Sequence, residues 1–355
     1  MLKIFLFLTL ILIQSFLIEI ASSLLPVVID TDLGPDIDDA FAIAYVLAHK
    51  ELFDVKLITS CQQNTTRHIM IVAKLLTELD RNEIPLGIGL ETPYDPIETS
   101  GAGYLFDWAQ DFPLESYKGK VFHDGLSILK AIIRNASIEN PILLLGIGPL
   151  TNIEQILIDE PQLSEKMKLF IMGTSVYKGN HGLEKIAEYN IFMNITAAQT
   201  VFNTKFPLLD MFVTPLDTSS YVQIFNDNYL ALKEGLNNCS AIKTLLHSYE
   251  SWYNNGGFKN LKWARIPFHP NNSSSPMFDV QAAISLKYYV KSYLDNPFVI
   301  YEHIPIGIDN NAFTYLSSLV KYPKKFVSTK FINDEIDENV DKMAKEIIRS
   351  LFNLC

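Results

Sequence analysis

Short apolar runs alternate with longer helical patterns along most of this chain of 355 residues, and this alternation restricts the fold more than any other feature. Most of the runs are continuously apolar, which is typical of strands buried on both faces of a sheet. The predicted strands are Val27–Asp30, Val55–Cys61, Pro85–Ile88, Ile142–Ile147, Leu169–Met172, Leu208–Val213 and Phe298–His303. The helical patterns between them include Ala40–His49, Arg67–Leu79, Gly125–Arg134 and Ala197–Phe202. Because strands separated by helices are joined by right-handed crossovers, we expect an α/β fold with an open, mainly parallel sheet flanked by helices.

The first 23 residues have the features of a secretory signal peptide. Lys3 supplies a positive charge, an apolar stretch runs from Ile4 to Leu17, and the small residues Ala21 and Ser23 lie where a cleavage site requires them. The apolar stretch is shorter than the roughly 20 residues that span a membrane, so cleavage is favoured over anchoring. We therefore predict a secreted or lumenal protein with no membrane span after cleavage. Residues 24–355 contain no repeat or linker and are predicted to form a single domain.

The net charge limits the possible partners, and the sequons and cysteines bear on the predicted location. The formal net charge of −11 disfavours a nucleic-acid polymer as a partner, whereas a small neutral ligand or a cation is compatible with it. Sequons for N-glycosylation begin at Asn64, Asn135, Asn194, Asn238, Asn271 and Asn272. Of the three cysteines, Cys61 falls in a predicted buried strand. Cys239 and Cys355 are either bonded to each other or two separate thiols.

Five aspartates lie within ten residues at and after the end of the first predicted strand: Asp30, Asp32, Asp36, Asp38 and Asp39. Carboxylates this dense repel one another unless a cation holds them, and a glycine among them allows a tight turn. Oxygen ligands on a short loop suit a hard cation such as Ca²⁺ or Mg²⁺. Helix capping explains one or two of these aspartates but not five, so a metal site is the favoured interpretation.

The acidic segment resembles a family signature. Asp30-Thr31-Asp32-x-Gly34 followed by Asp38-Asp39-Ala40 is similar to the Asp-x-Asp-x-Gly-x-Asp-Asp-Ala of inosine–uridine-type nucleoside hydrolases. Two extra residues precede the paired aspartates here, which makes Asp36 a rival ligand. The resemblance implies the Rossmann-like nucleoside hydrolase fold, one Ca²⁺ per subunit, a small-molecule nucleoside as the substrate, and a homo-oligomer, either a dimer or a tetramer.

Three later segments extend the resemblance in the family's order, from Pro26 to about Ala283. Residues 146–152 are similar to the Gly-Pro-Leu-Thr-Asn turn, and residues 172–190 to the Gly-Gly…Asn…Ala-Glu-aromatic-Asn segment. Residues 276–283 are similar to the C-terminal metal segment.

The resemblance implies a role for each matched residue. The implied calcium ligands are Asp32, Asp39, the Ile147 carbonyl and Asp279, and Asp32 is also the implied catalytic base. The residues implied to bind substrate are Asp38, Asn64, Asn180, Glu188, Tyr189, Asn190 and Phe278. Carboxylates and amides together satisfy the donors and acceptors of ribose hydroxyls. Asp30 and Asp36 are uncertain members of the metal loop.

These residues predict hydrolysis of the N-glycosidic bond of ribonucleosides by a calcium-bound water that an Asp base activates. Phe278 stands where pyrimidine-tolerant members often carry a histidine, and with Tyr189 it favours purine nucleosides; core packing is the alternative for both rings. Two rival functions remain. One is a metal-dependent phosphatase with Asp30 or Asp32 as its nucleophile. The other is a secreted nucleoside- or sugar-binding protein with impaired catalysis, for which the insertion at Asp36 is a candidate cause.

Overall fold

The computed structural model describes residues 24–93, 102–203, 209–291, 295–317 and 324–355. The predicted signal peptide, residues 1–23, lies outside the described residues, as does Leu208 at the start of one predicted strand. Within the described part of the chain, no helix has both the length and the apolar character needed to cross a membrane.

The described strands form one large sheet and one small one. They are β1 (Leu25–Thr31), β2 (Phe53–Ser60), β3 (Leu86–Gly87), β4 (Val121–Phe122), β5 (Ile142–Gly146), β6 (Met167–Met172), β7 (Asp210–Thr214), β8 (Val299–His303), β9 (Ile306–Ile308), β10 (Thr314–Leu316) and β11 (Lys324–Phe331). Nine of them form a sheet in the order β4-β3-β2-β1-β5-β6-β7-β11-β8. Each neighbouring pair in this sheet is parallel except β11 with β8. The predicted mainly parallel sheet is confirmed.

Helices connect the strands and flank the sheet. The described α-helices are α1 (Asp38–Leu47), α2 (Thr65–Glu78), α3 (Phe106–Ala109), α4 (Gly125–Asn135), α5 (Thr151–Asp159), α6 (Tyr189–Met193), α7 (Ile195–Asn203), α8 (Leu216–Ser219), α9 (Asn226–Glu234), α10 (Ser240–Asn254), α11 (Phe278–Lys291) and α12 (Ile336–Phe352). The predicted strands and helices agree with these elements to within two residues at each end. The sequence patterns do not predict β4, β9, β10 or β11.

The sheet is buried on both faces, as the continuous apolar runs predict. Val27 and Ile29 of β1 belong to one apolar cluster, and Val28 between them belongs to a second. Leu143 and Leu144 of β5 divide between the clusters in the same way. Successive side chains of a strand point to opposite faces, so the two clusters are the two interfaces between the sheet and its helices.

Two covalent or ionic links hold the C-terminal helix in place. Cys239, just before α10, forms a disulfide with Cys355, and the two Cα atoms are 5.1 Å apart. The open question about these cysteines is thus settled in favour of a disulfide. Lys287 of α11 and Glu346 of α12 form a buried ion pair, and the Tyr45 hydroxyl of α1 donates to the same carboxylate at 3.2 Å. These contacts join α1, α11 and α12.

Candidate metal and active site

The candidate site lies at the carboxyl edge of the central strands. In the sheet, β2, β1, β5 and β6 are consecutive neighbours and all parallel, so the loops that follow them leave from one edge. Ligands of open α/β sheets bind at this edge. The acidic loop follows β1, the Gly-Pro-Leu-Thr-Asn turn follows β5, and the segment containing Glu188 follows β6.

Three buried carboxylates meet at this edge. Asp38 and Asp39 are the first two residues of α1, and Asp279 is the second residue of α11. One carboxylate oxygen from each lies within 4.8 Å of the other two. The Asp279 N–H also donates to Asp38 Oδ2 at 3.1 Å, which links the two helix ends directly. We call Asp38, Asp39 and Asp279 the acidic triple.

Burial and mutual repulsion raise the pKa of these groups. Burial raises the pKa of Asp39 and Asp279 well above the usual range of an aspartate, and the charge of Asp38 raises both further. The pKa of Asp38 is raised to about 6 by burial. A divalent cation is the partner that such an oxygen-only set fits, because it neutralises the repulsion that otherwise opposes folding.

Asp32 lies close to Asp38 and Asp39, and Ile147 follows β5 at the same edge of the sheet. Asp32 is buried, and burial followed by the charges of Asp39 and Asp38 raises its pKa well above the usual range. The three carboxylates that converge most closely include Asp38 and not Asp32, and the ligand roles implied for Asp32 and Ile147 stay predictions. The Ile147 carbonyl accepts a hydrogen bond from Asn190 Nδ2 at 3.3 Å.

Gly148 brings the loops after β1, β2 and β5 close together. A Cβ atom built on Gly148 would lie 2.9 Å from Asp32 Oδ1 and 2.5 Å from Cys61 Sγ. Any side chain at this position would collide with both residues. The glycine thus permits close approach of the Asp32 carboxylate to the turn that contains Ile147.

Asp36 lies in the acidic loop near Asp38, and burial followed by the charge of Asp38 raises its pKa well above the usual range of an aspartate. Its carboxylate accepts from its neighbour Ile37 N at 2.8 Å and from Asn260 Nδ2 at 3.4 Å. The carbonyl of Pro35 accepts from the Trp252 indole at 3.0 Å. The two extra residues therefore form a bulge held by α10 and the turn after it, and Asp36 is not a member of the acidic triple.

Asp30 has a structural position. Its Oδ1 accepts from Thr59 Oγ1 at 2.7 Å and from Asn152 Nδ2 at 2.8 Å, and burial raises its pKa to about 6. Asn152 also donates to the Ser60 carbonyl at 2.9 Å and accepts from Leu90 N at 2.8 Å. Asp30 and Asn152 thus fasten the ends of β1 and β2 to the turn after β5. Asp30, an uncertain member of the metal loop, is not in the acidic triple.

The segment after β6 presents buried polar side chains. Glu188 is the N-cap of α6 and accepts from the backbone N–H groups of Asn190, Ile191 and Thr174 at 3.0 to 3.2 Å. Burial raises its pKa to about 7. Asn180 is also buried. Both implied ribose-binding residues are therefore buried, and the Glu188 carboxylate is held by three backbone N–H groups.

Asn64 and the two aromatic residues are less enclosed. Asn64 caps α2, where its side chain accepts from Arg67 N at 3.3 Å, and it is half-buried. Phe278 begins α11 and packs partly against the core, and Tyr189 is half-buried. The Tyr189 hydroxyl accepts from Gln62 Nε2 at 2.6 Å. Sequence reasoning did not single out Gln62, whose left-handed backbone (φ 76°) leaves no pattern in a single sequence.

Buried polar atoms without partners mark the same loops. Among the described residues, such atoms include Gln62 Oε1 after β2, and Thr174 Oγ1 and Asn180 Oδ1 after β6. Buried polar groups of native proteins are nearly all hydrogen-bonded. The two loops are joined by the Gln62–Tyr189 hydrogen bond, so these atoms are candidates for contact with a polar ligand or ordered water.

Fold and site together define an α/β protein whose central parallel strands carry a buried acidic centre suited to a hard divalent cation. Residues 27–297 match the family model described as inosine-uridine preferring nucleoside hydrolase. The chain belongs to this family of enzymes, which act on the N-glycosyl bonds of ribonucleosides.

Relatives and solved structures agree with the family. The chain is 30% identical over 208 residues to a pyrimidine-specific ribonucleoside hydrolase RihA of Enterobacter sp. (strain 638). The matched region covers 57% of this chain and 63% of that relative. It is 32% identical over 247 residues to a non-specific ribonucleoside hydrolase RihC of Escherichia coli O139:H28, with 66% of this chain and 74% of that relative covered. A purine-preferring ribonucleoside hydrolase from Gardnerella vaginalis has a similar fold, with a TM-score of 0.69 at 16% identity over 92% of this chain and 99% of that chain.

Proposed function

We propose that this protein hydrolyses the N-glycosidic bond of ribonucleosides to free base and ribose, with one Ca²⁺ per subunit. The acidic triple is the observation that carries the proposal. Two of its members begin α1 and the third lies 240 residues further along the chain, yet their oxygens converge within 4.8 Å. Such convergence of buried carboxylates has a cost in the free energy of folding unless a cation offsets it.

The residues that would hold the ion are Asp39 and Asp279, with Asp32, Asp38 and the Ile147 carbonyl beside them. A bound Ca²⁺ would neutralise these carboxylates and lower the pKa of a water at the site. The Asp32 carboxylate would then accept the proton of the water that attacks the anomeric carbon.

Ribose binding is the task proposed for the segment after β6. Asn180, Glu188 and Asn190 are buried there, and Asn180 Oδ1 has no partner among the described residues. A ribose hydroxyl would donate to that oxygen. Binding energy on hydroxyls remote from the reacting bond helps to orient and distort the sugar towards the oxocarbenium-like transition state. Asp38 and Asn64 are proposed as further contacts of the sugar.

Ribose release from inosine tests the proposed function. With added Ca²⁺ the protein should release ribose, and a calcium-selective chelator should stop the reaction until Ca²⁺ is restored. No release from inosine or uridine in the presence of Ca²⁺ would contradict the proposal and support the nucleoside-binding alternative. Release of phosphate from p-nitrophenyl phosphate, without cleavage of a nucleoside, would support the phosphatase.

A preference for purine nucleosides is a further part of the proposal. Tyr189 and Phe278 offer half-buried aromatic rings that can stack on a base, and a purine has the larger face. We expect kcat/KM for inosine to exceed that for uridine about tenfold, and Phe278→His to reduce this ratio. The RihA relative is pyrimidine-specific and the RihC relative is non-specific. Equal kcat/KM values for the two nucleosides would contradict the purine preference and resemble RihC, and a higher value for uridine would resemble RihA.

Secretion is proposed on two observations. The Cys239–Cys355 disulfide suits an oxidising compartment, and the sequons at Asn135, Asn238, Asn271 and Asn272 are exposed. The sequon at Asn194 is buried, and its side chain donates to Thr151 Oγ1 at 3.0 Å, so a glycan is not expected there. A homodimer or homotetramer is the proposed assembly.

A further inference from the structure

Gln62 has a strained position next to the acidic centre. The residue before it, Cys61, lies close to the Asp32 carboxylate. A Cβ atom built on Gly148 would lie 2.5 Å from Cys61 Sγ and 2.9 Å from Asp32 Oδ1. Its backbone is left-handed at φ 76°, and its side chain is fully buried. Residues other than glycine are held in this conformation mainly where the surrounding structure requires it, often at functional sites.

The two ends of the Gln62 amide have different surroundings. Nε2 donates to the Tyr189 hydroxyl oxygen at 2.6 Å, whereas Oε1 is buried without a partner among the described residues. Either orientation of the amide leaves one end unpaired, because a tyrosine hydroxyl can accept or donate. A buried amide that keeps one end open is therefore placed to receive a hydrogen-bonding group from a ligand.

Gln62 is hydrogen-bonded to the segment that carries the proposed ribose site. Tyr189 is the chain neighbour of Glu188 and Asn190, and the Asn190 side chain donates to the Ile147 carbonyl at 3.3 Å. Thr174, whose N–H donates to Glu188 Oε2 at 3.2 Å, also has a buried hydroxyl without a partner among the described residues. The pair of Gln62 and Tyr189 thus joins the loop after β2 to the loop after β6.

We propose that Gln62 both positions Tyr189 and recognises the substrate. One end of its amide holds the Tyr189 hydroxyl, and the other end forms a hydrogen bond with the bound nucleoside. This inference rests on the proposed function, because it places the contact in the same site. It assigns Gln62 a direct contact with the substrate in addition to its support of the Tyr189 ring.

A double-mutant cycle separates the two roles. Tyr189→Phe removes only the hydroxyl that Gln62 holds, whereas Gln62→Met removes both amide interactions with little change in volume. We expect Gln62→Met to lower kcat/KM for inosine about tenfold more than Tyr189→Phe, mainly through a higher KM. Gln62→Met should also lower kcat/KM about tenfold when added to Tyr189→Phe.

Gln63 provides the matched control. It is the next residue, is half-buried, and donates to the Thr92 carbonyl at 2.9 Å. Gln63→Met should leave both kcat and KM within about twofold of the original values. Gln62→Ala, which adds no bulk, is measured alongside, and thermal melts of all variants identify any that do not fold.

Two results would overturn the inference. In the first, Gln62→Met or Gln62→Ala causes no further loss of kcat/KM when it is combined with Tyr189→Phe. Gln62 would then only support the Tyr189 ring. The other is an equal effect of Gln62→Met and Gln63→Met. If the original protein binds inosine without cleaving it, the proposed function fails separately, and calorimetric dissociation constants for inosine take the place of kcat/KM in the same cycle.

Discussion

Asp39→Asn is expected to abolish nucleoside hydrolysis and at the same time to stabilise the metal-free protein. The substitution removes one charge from the acidic triple but keeps an oxygen that can accept from the Thr31 hydroxyl, as the Asp39 carboxylate does. A bound metal contributes several kcal/mol to the transition state, so we expect kcat/KM for inosine to fall by about 10³-fold. Loss of a buried like charge should raise the unfolding free energy in chelator by about 1 kcal/mol.

Steady-state kinetics in excess Ca²⁺ and thermal melts in chelator check the two effects. Asp36→Asn is the matched control, because Asp36 belongs to the same loop but bonds to Ile37 and Asn260 outside the acidic triple. We expect this control to keep the original activity to within a few-fold. An Asp39→Asn protein with more than about a tenth of the original activity would show that the acidic triple does not hold an essential ion.

Removal of Lys287 should destabilise the protein strongly. Burial acts to raise the pKa of Glu346, but the hydrogen bonds and charges of Lys287 and Arg349 together outweigh it and hold that pKa below its ordinary value. Without Lys287 the partners of the carboxylate among the described residues are the Tyr45 hydroxyl, Ser350 and the exposed Arg349. A buried charge that loses its partner costs about 3–5 kcal/mol, so we expect Lys287→Met to lower the unfolding free energy by that amount.

Denaturant unfolding of single and double variants measures this effect. Lys287→Met combined with Glu346→Leu should recover most of the loss, because it leaves no buried charge unpaired. The exposed pair of Lys342 and Glu338, also on α12, is the control, and Lys342→Met should change the unfolding free energy by less than about 0.5 kcal/mol. A similar loss for Lys287→Met and Lys342→Met would contradict the role assigned to the buried pair.

The sheet could be predicted from the sequence wherever a strand is buried on both faces. The runs that became β1, β5 and β6 are apolar except for Asp30 at the end of the first, and the structure places apolar layers on both sides of them. β11, by contrast, contains the exposed lysines Lys324 and Lys330 and the buried Lys325, so its sequence has no continuous apolar run. It nevertheless pairs with both β7 and β8, because its backbone hydrogen bonds do not depend on that pattern.

The site could be predicted in its members but not in its arrangement. The family signature identifies Asp39 and Asp279, and the structure brings both together. Because of the two extra residues before Asp38, the sequence does not show which aspartates converge. Their convergence depends on where α1 begins and on the contacts of the bulge with Trp252 and Asn260. Gln62 has no sequence signal at all, because a left-handed backbone and an open amide end are properties of the folded loop.

The hydrogen bond from Asp279 N–H to Asp38 spans 241 positions of the chain. An ion held there closes a loop made of most of the domain, and the unfolded chain cannot reproduce that geometry at a comparable cost in entropy. The affinity of the protein for the cation therefore indicates whether α11 has packed against α1. A titration with the cation during refolding would count molecules that have completed this long-range contact, and truncated chains ending before Asp279 should not register in it.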